Sequence, residues 1–202
     1  MNHVFQPENA ARFEAALRRF DEENTQDPNQ VEINGLRQPY ELVYSMWLTE
    51  WVLRLAPEAS EELRLAARCQ HLRRWMIPRS SYPMTRPGYL QWRQELKKFH
   101  AERAGNILRE VGYPEERIAR VKDLVLKRLF PQDPESRVLE DALCLVFLER
   151  QFGELVQRTS EEKMINAVQK TWRKMTPAAH EVALKLAFTP VEKALLERAL
   201  EA

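Results

Sequence analysis

The sequence predicts an all-α fold, a compact single-domain bundle of eight or nine helices without a sheet. The 202 residues include only 5 glycines, with 44% hydrophobic and 30% charged residues, a composition typical of a helix-rich globular protein. Apolar residues recur with helical spacing along most of the chain, and no segment alternates convincingly with period two. A chain of this length can bury one sizeable core, so we expect one domain over residues 1–202.

Two helices separated by a polar loop are predicted at the N-terminal end. The first runs from about residue 8 to residue 23, with its apolar residues on one face. The second runs from about residue 39 to residue 55 and begins with a proline, which suits a first helical turn. Between them, Asp27-Pro28 and Asn34-Gly35 mark turns, so we expect a loop there.

A third helix is predicted after Ser60, whose hydroxyl group can cap a first turn that holds two glutamates. We expect it to continue through Leu63–Trp75, the stretch LRLAARCQHLRRW. Every third and fourth position of this stretch gives an apolar stripe that also carries Gln70 and His71. An amide and an imidazole on a core-facing side need hydrogen-bond partners, which favours a polar pocket at this point.

The remaining helices follow a loop over residues 76–89 that contains four turn-forming residues. A long helix is predicted from about residue 87 to residue 111 and ends at Gly112. Helices are then expected over residues 114–128 and 133–156. Near the C-terminus, a threonine that can cap a helix stands directly before a first-turn proline twice, at Thr176-Pro177 and at Thr189-Pro190.

The overall charge of +1 hides a strongly basic segment. Residues 64–103 contain ten Arg or Lys and two Glu, hence about +8, which leaves about −7 for the rest of the chain. Such a segment favours an anionic partner: phosphate, a nucleotide or nucleic acid. The alternative is a solvated basic surface compensated by acidic helices elsewhere.

The sequence predicts a cytoplasmic protein with no membrane partner. The longest wholly apolar run, Ala142–Leu148, is far too short to span a bilayer, and the N-terminus lacks the features of a secretory signal. The two cysteines, Cys69 and Cys144, lie in apolar helical patterns. We expect both to be free, buried thiols in a reducing compartment.

Four polar residues on apolar helix faces are the candidates for chemistry, because no glycine-rich phosphate loop, GxSxG elbow, HExxH motif or zinc-spaced cysteine pair is present. They are Glu41, His71, His100 and Asp141. Two imidazoles and two carboxylates suit a divalent metal such as Mn, Fe, Zn or Mg. The alternatives are hydrogen-bonded core histidines, a cap or arginine partner for Asp141, and a first-turn acid for Glu41.

Three segments resemble the His-Asp (HD) phosphohydrolase superfamily: LAARCQH, KKFHAERAGNILREVGYPEERIARV and SRVLEDALCL, within residues 38–150. The resemblance implies an HD-like helical core over residues 38–158, with residues 1–37 and 159–202 as helical extensions packed on it. The sequence departs from the superfamily where its paired His-Asp falls on Gln70-His71 and its first His falls near Glu41. A closer resemblance covers nearly the whole chain. The stretches RCQHLRRW, IPRSSYPM, GYLQWR, KKFHAE, LEDALCLVFLE and KTWRKM are similar to a family catalogued as a domain of unknown function, number 4202, which implies no activity.

The leading functional hypothesis is a metal-dependent phosphohydrolase of altered HD type, acting on a nucleotide or related phosphate ester. His71, His100 and Asp141 would hold the metal, with Glu41 as a fourth ligand, and Glu102 would orient or deprotonate the metal-bound water. The predicted phosphate and ligand contacts are Gln70, Arg73, Arg74, Arg79, Lys97 and Lys98.

The geometry expected of this site is specific. His71 and His100 should face each other across a pocket whose rim includes Arg74, Arg79 and Lys97. Trp75, Tyr82, Tyr89 and Trp92 lie among these cations and could stack on a base. The alternative hypothesis is a non-catalytic helical protein that binds a small phosphorylated ligand or nucleic acid.

Overall fold

Helices dominate the computed structural model, which describes residues 5–201. Those residues contain ten α-helices and one small two-stranded sheet, so the predicted all-α class is confirmed. The chain forms two compact units, Met1–Phe130 and Pro131–Ala202. The boundary between them lies inside the segment 38–158 that the sequence predicts as one core.

The first unit contains five α-helices, a hairpin and two short 3₁₀ turns. Its α-helices are α1 (Ala10–Asn24), α2 (Tyr40–Leu55), α3 (Glu61–Cys69), α4 (Arg86–Glu110) and α5 (Glu115–Leu126). The hairpin strands are β1 (Gln30–Ile33) and β2 (Leu36–Pro39), and the 3₁₀ turns cover Arg74–Met76 and Arg79–Ser81.

The hairpin corrects the expectation of a plain loop and of no sheet. Strands β1 and β2 pair antiparallel, with Ile33 opposite Leu36. Asn34 and Gly35, the two connecting residues, both have positive φ, 52° and 78°. An Asn-Gly pair readily adopts such angles, and this geometry closes a two-residue hairpin. The sequence marks the turn, but strands of four partly exposed residues show too little alternation to be recognised.

Helix α3 is shorter than the sequence predicts, because it ends at Cys69 rather than continuing to Trp75. The chain turns after Gln70, and Arg73 adopts a left-handed conformation with φ 48° that ends regular helix. His71 therefore lies in a turn and not on a helical stripe.

Most predicted helix starts are confirmed by capping hydrogen bonds. The side chains of Ser60, Asp133 and Thr176 accept bonds from the backbone N–H groups of Leu63, Ser136 and Ala179. At the other end of a helix, Gly112 has φ 86°, as expected for a residue that ends helix α4.

The core of the first unit lies around α3, which packs against α2 and α5, while α4 packs along α5. Side chains such as Leu63, Leu65, Leu108 and Leu124 are fully buried there. The same core includes polar residues, among them His100, which is 1% exposed. The buried face of α4 therefore carries an imidazole into the interior.

The second unit contains α6 (Pro134–Val146), a π-helical turn (Phe147–Gln151), α7 (Phe152–Arg158), α8 (Glu161–Trp172), α9 (Pro177–Ala183) and α10 (Pro190–Glu201). The expected helix over residues 133–156 is thus interrupted by the π-helical turn. The second unit has a core of its own, which contains Phe152, Met164, Val168, Leu195 and Leu196.

Two further predictions concern the whole chain. Cys69 and Cys144 are free and buried, as expected. Among residues 5–201, no helix combines the length and the apolar character needed to cross a membrane.

Candidate functional site

Three of the predicted site residues meet inside the first unit. Glu41 lies in the first turn of α2, His71 in the turn after α3, and His100 in the middle of α4. The Nδ1 atom of His71 is 3.3 Å from Oε2 of Glu41, and the rings of His71 and His100 are 5.7 Å apart between centroids. The sequence reasoning placed these residues together, although it assigned His71 to the wrong element.

Two buried side chains at the end of α1 hold the backbone of this group in place. The amide of Asn24 accepts a hydrogen bond from the backbone N–H of Arg73 at 3.1 Å and donates one to the carbonyl of Glu41 at 3.4 Å. The carboxylate of Asp27 accepts a bond from the backbone N–H of Glu41 at 2.9 Å. These contacts fix the start of α2 against the turn that carries His71.

Burial keeps all three titratable groups uncharged at neutral pH. Burial raises the pKa of Glu41 to about 8, against the opposing charge of Arg74. Burial lowers the pKa of His100 to about 3, and it lowers the pKa of His71 well below its usual value, helped by the positive charge of Arg74. The site therefore combines a protonated carboxyl group with two neutral imidazoles.

Stacking and one hydrogen bond fix the two imidazole rings. The phenol ring of Tyr44 stacks on His71 with centroids 4.3 Å apart and 18° between the planes. The Nδ1 atom of His100 donates to the carbonyl of Leu72 at 2.9 Å, which leaves a lone pair on Nε2.

Several buried polar atoms of this group have no hydrogen-bond partner among residues 5–201. They are Glu41 Oε2, Gln70 Oε1, His71 Nδ1 and His100 Nε2. The approach of Glu41 to His71 is close in distance but lacks the angle of a hydrogen bond. Unpaired buried polar atoms are rare in folded proteins, and each requires an explanation, such as a catalytic role or a bound water molecule or ion.

An open pocket of about 490 Å³ lies next to Glu41. Neither His71 nor His100 is among the residues that line it, so the two histidines do not face each other across this pocket as the sequence predicts. Glu41 forms part of its wall, so the buried carboxyl group borders a space that a ligand can enter. The other lining residues are Pro28, Asn29, Tyr40, Arg74, Trp75, Ile77, Pro78, Arg79 and Trp92.

Two arginines give the pocket a positive charge. The Nε atom of Arg74 is 3.7 Å from Oε1 of Glu41, and its guanidinium group lies over the ring of Trp92 at 4.9 Å. Arg79 donates to the carbonyls of Tyr82 and Pro83 at 3.0 and 2.7 Å. Within the described part of the chain, Arg79 makes no ion pair with a carboxylate.

Other predicted site residues are engaged elsewhere. The Glu102 side chain is 67% exposed and pairs with Lys122 at 2.8 Å. Arg73 donates a hydrogen bond to Glu23 at 2.6 Å. None of Arg73, Lys97 and Lys98 lines the pocket. The rim therefore contains Arg74 and Arg79, without the Lys97 that the sequence reasoning added.

Asp141 belongs to the second unit, and a hydrogen-bonding role there accounts for its carboxylate. One carboxylate oxygen accepts from the backbone N–H of Thr176 at 2.9 Å, and the other accepts from the Thr176 hydroxyl at 2.6 Å. Asp141 thus anchors the start of α9, rather than capping its own helix or pairing with an arginine.

The predicted metal ligands are not assembled into a metal centre among the described residues. In the segment 5–201, no three His, Cys, Asp or Glu side chains come together in an arrangement that could hold a metal ion. Glu41, His71 and His100 are neighbours, but Glu41 faces His71 and Arg74, and the carboxylate of Asp141, the fourth predicted ligand, is held by Thr176.

The sequence reasoning missed several residues around the group. Tyr44 follows Glu41 by one helical turn, so helical spacing could have placed it beside the site. Asn29 and Tyr40 line the pocket because the hairpin brings the residues on either side of it together, and the backbone N–H of Tyr40 donates to the carbonyl of Asn29 at 2.9 Å. Recognising the hairpin would have found this pair.

Comparisons with known proteins give one positive result. No curated protein and no solved structure matches the chain. A family model, described as a domain of unknown function, matches residues 14–196. The chain therefore belongs to the DUF4202 family.

Proposed function

We propose that the protein binds a small phosphorylated ligand with a planar aromatic group, a ligand of the nucleotide class, in the pocket over Glu41. The observation that carries this proposal is the uncompensated positive charge of the pocket. Arg79 is bonded to neutral carbonyls, and the Nε atom of Arg74 is 3.7 Å from the carboxyl group of Glu41, whose pKa is raised by burial to about 8. Guanidinium groups without an anionic partner are suited to a phosphate group.

The size and walls of the pocket suit the rest of such a ligand. Its volume of about 490 Å³ lies within the range of small-molecule sites, about 300–1,000 Å³. Tyr40, Trp75 and Trp92 supply aromatic surface, and Asn29 supplies an amide for polar recognition. Because Arg74 already covers the ring of Trp92, we assign the planar group of the ligand to Trp75 and Tyr40.

Calorimetric titration with nucleoside monophosphates and the matching nucleosides tests this proposal. We expect the nucleotides to bind and the nucleosides to bind at least tenfold more weakly, since charge-assisted hydrogen bonds to phosphate contribute about 1.5–3 kcal/mol. Arg74→Gln should weaken nucleotide binding by a similar factor. Arg54→Gln is the matched control, because that exposed arginine of α2 already pairs with Glu50. Equal affinity for nucleotides and nucleosides would contradict the proposal.

Hydrolysis of a bound phosphate ester is the second candidate function. It is favoured by the buried group beside the arginines, in which Glu41 holds a proton and His71 has a nitrogen 3.3 Å away. A protonated carboxyl group that borders the pocket can donate a proton to the leaving oxygen of a phosphate ester. The metal-dependent form of this reaction and the relationship to HD phosphohydrolases stay predictions.

Phosphate release and metal analysis test the second candidate. Release should be measured with a panel of nucleotides, with and without added Mn, Fe, Zn or Mg. Metal content should be measured on protein purified without chelator, with His71→Ala and His100→Ala as controls. Release that requires an added metal, and metal content that falls in both variants, would support metal-dependent hydrolysis. No release under any condition would leave ligand binding as the function.

A further inference from the structure

We propose that the first half of α4 is a binding surface for single-stranded nucleic acid, whose terminal nucleotide occupies the pocket. This inference rests on the proposed function, because the pocket is assigned there to a nucleotide. The inference extends the binding site from a pocket for one nucleotide to a surface that also contacts the following nucleotides of a strand. The surface consists of Arg86, Tyr89 and Arg93, and we call it the α4 surface.

The α4 surface lies beside the pocket, with Arg86 and Tyr89 exposed and Arg93 half-buried. Its three residues are spaced i, i+3 and i+7, so they lie on one side of the helix over about 10 Å. The ring of Tyr89 is 5.8 Å from the ring of Trp92, a residue of the pocket wall. The guanidinium group of Arg79 lies 5.9 Å from the centroids of both rings. A chain that leaves the pocket past Arg79 therefore meets Tyr89 directly.

The charges of the α4 surface are uncompensated. Within the described residues, neither Arg86 nor Arg93 makes an ion pair with a carboxylate. Other arginines of the basic segment are neutralised, since Arg68 pairs with Asp21 and Arg73 pairs with Glu23. Positive charge without a carboxylate partner therefore remains at the pocket and along the start of α4 beside it, although Arg64 and Lys98 of the same segment also lack such a partner among the described residues. A polyanion complements this charge.

The aromatic side chain between the two cations favours single-stranded nucleic acid over other polyanions. Tyr89 is 43% exposed although it is a large ring in contact with Trp92. An exposed ring flanked by arginines offers a stacking platform for an unpaired base and partners for the phosphates on either side. A duplex hides its base faces, and an acidic peptide has no planar group that every unit repeats.

A comparison of one nucleotide with its polymer tests the α4 surface. The ligands are the nucleoside monophosphate that binds best and the 5′-phosphorylated homohexanucleotide of the same base, followed by fluorescence anisotropy over a series of salt concentrations. We expect the hexanucleotide to bind at least tenfold more tightly. In the double variant Arg86→Gln/Arg93→Gln, the slope of log affinity against log salt should become shallower by about 1.4, since each phosphate contact contributes about 0.7. Affinity for the mononucleotide should stay unchanged.

Two controls separate nucleic-acid binding from general attraction of anions. Arg109→Gln removes an arginine of the same helix whose charge Glu115 already neutralises at 2.6 Å, so the slope should not change. Tyr89→Ala should weaken hexanucleotide binding about tenfold at high salt, and Tyr89→Phe should restore it, because stacking requires only the ring.

The outcomes distinguish this inference from the proposed function. Absence of mononucleotide binding contradicts the pocket proposal. A hexanucleotide that binds no more tightly than the mononucleotide contradicts the α4 surface while the pocket stands. Polyglutamate of equal charge that binds as tightly as the hexanucleotide also contradicts it, since the surface would then recognise charge alone.

Discussion

At neutral pH the side chain of Glu41 keeps its proton, although an ordinary glutamate ionises near pH 4.5. The folded protein retains this proton up to about pH 8, whereas the unfolded chain releases it near pH 4.5. The stability that this protonated group contributes is therefore fully present below about pH 4.5 and is lost as the pH rises through about 8.

The variant Glu41→Gln should remove this dependence. We expect the free energy of unfolding of the unsubstituted protein, measured relative to the variant, to fall by a few kcal/mol between pH 5 and pH 8, since each pKa unit corresponds to about 1.4 kcal/mol. Urea unfolding of both proteins at a series of pH values measures this difference in the free energy of unfolding. Glu102→Gln is the control, because Glu102 is an exposed glutamate outside the buried group. The opposite slope would mean that Glu41 is ionised and paired with a charged His71.

At the scale of elements, the loop before α4 positions Arg79 and depends on Gly88. A Cβ atom added to Gly88 would lie far inside contact distance of the Pro83 carbonyl oxygen, the group that accepts a hydrogen bond from Arg79. Gly88→Ala should therefore destabilise the protein by about 1–3 kcal/mol and weaken nucleotide binding. Thermal unfolding and calorimetry measure these effects.

Gly105→Ala on the same helix is the matched comparison. A Cβ atom there would meet only the flexible side chain of Lys122 and a methyl group of Ile118, at 3.2 and 3.4 Å. Alanine is the better helix former, so this variant should retain binding and keep or gain stability. If both alanine variants behaved alike, the clash with Pro83 would not be the cause of the effect at Gly88, which would contradict a role of Gly88 in positioning the loop.

The same elements show how far sequence reasoning reaches. Helix positions and caps follow from local signals, as at Ser60 and Thr176, because the capping hydroxyl and the first turn are neighbours in sequence. The end of α3 depends on Arg73, which has no intrinsic preference for φ 48° and is held there by Asn24 and Glu23 from α1. Contacts of this kind join residues about 50 positions apart and leave no local pattern.

The candidate site was also predictable only where local helical spacing indicates the position of a residue. Helical spacing indicates that His100 faces the core, and the buried position of His100 on α4 agrees with it. The stacking of Tyr44 on His71 and the protonation of Glu41 depend on how deeply these groups are buried, which only the packing of α2 against the turn after α3 determines. For the same reason, the sequence could not separate the cations that line the pocket from those, such as Arg73, that are neutralised.

At the scale of the whole molecule, the residues that line the pocket all belong to the first unit, whereas Asp141 belongs to the second. The metal hypothesis requires Asp141 at the site, so one substitution separates the two interpretations. In the structure, both oxygens of Asp141 hold Thr176 at the start of α9. We expect Asp141→Ala to destabilise the second unit by about 1–3 kcal/mol, because it removes two hydrogen bonds and leaves the half-buried backbone N–H of Thr176 without its partner.

Nucleotide binding by Asp141→Ala should equal that of the unsubstituted protein, at a temperature where both are folded. Thr176→Val removes the other side of the same contact and should give a similar loss of stability with the same affinity. Calorimetry with the best-binding nucleotide, beside thermal unfolding of both variants, measures the two quantities. A ligand or metal site that includes Asp141 requires a different result, in which Asp141→Ala abolishes binding and Thr176→Val leaves it intact. That pattern would place Asp141 in the functional site and contradict a pocket formed by the first unit alone.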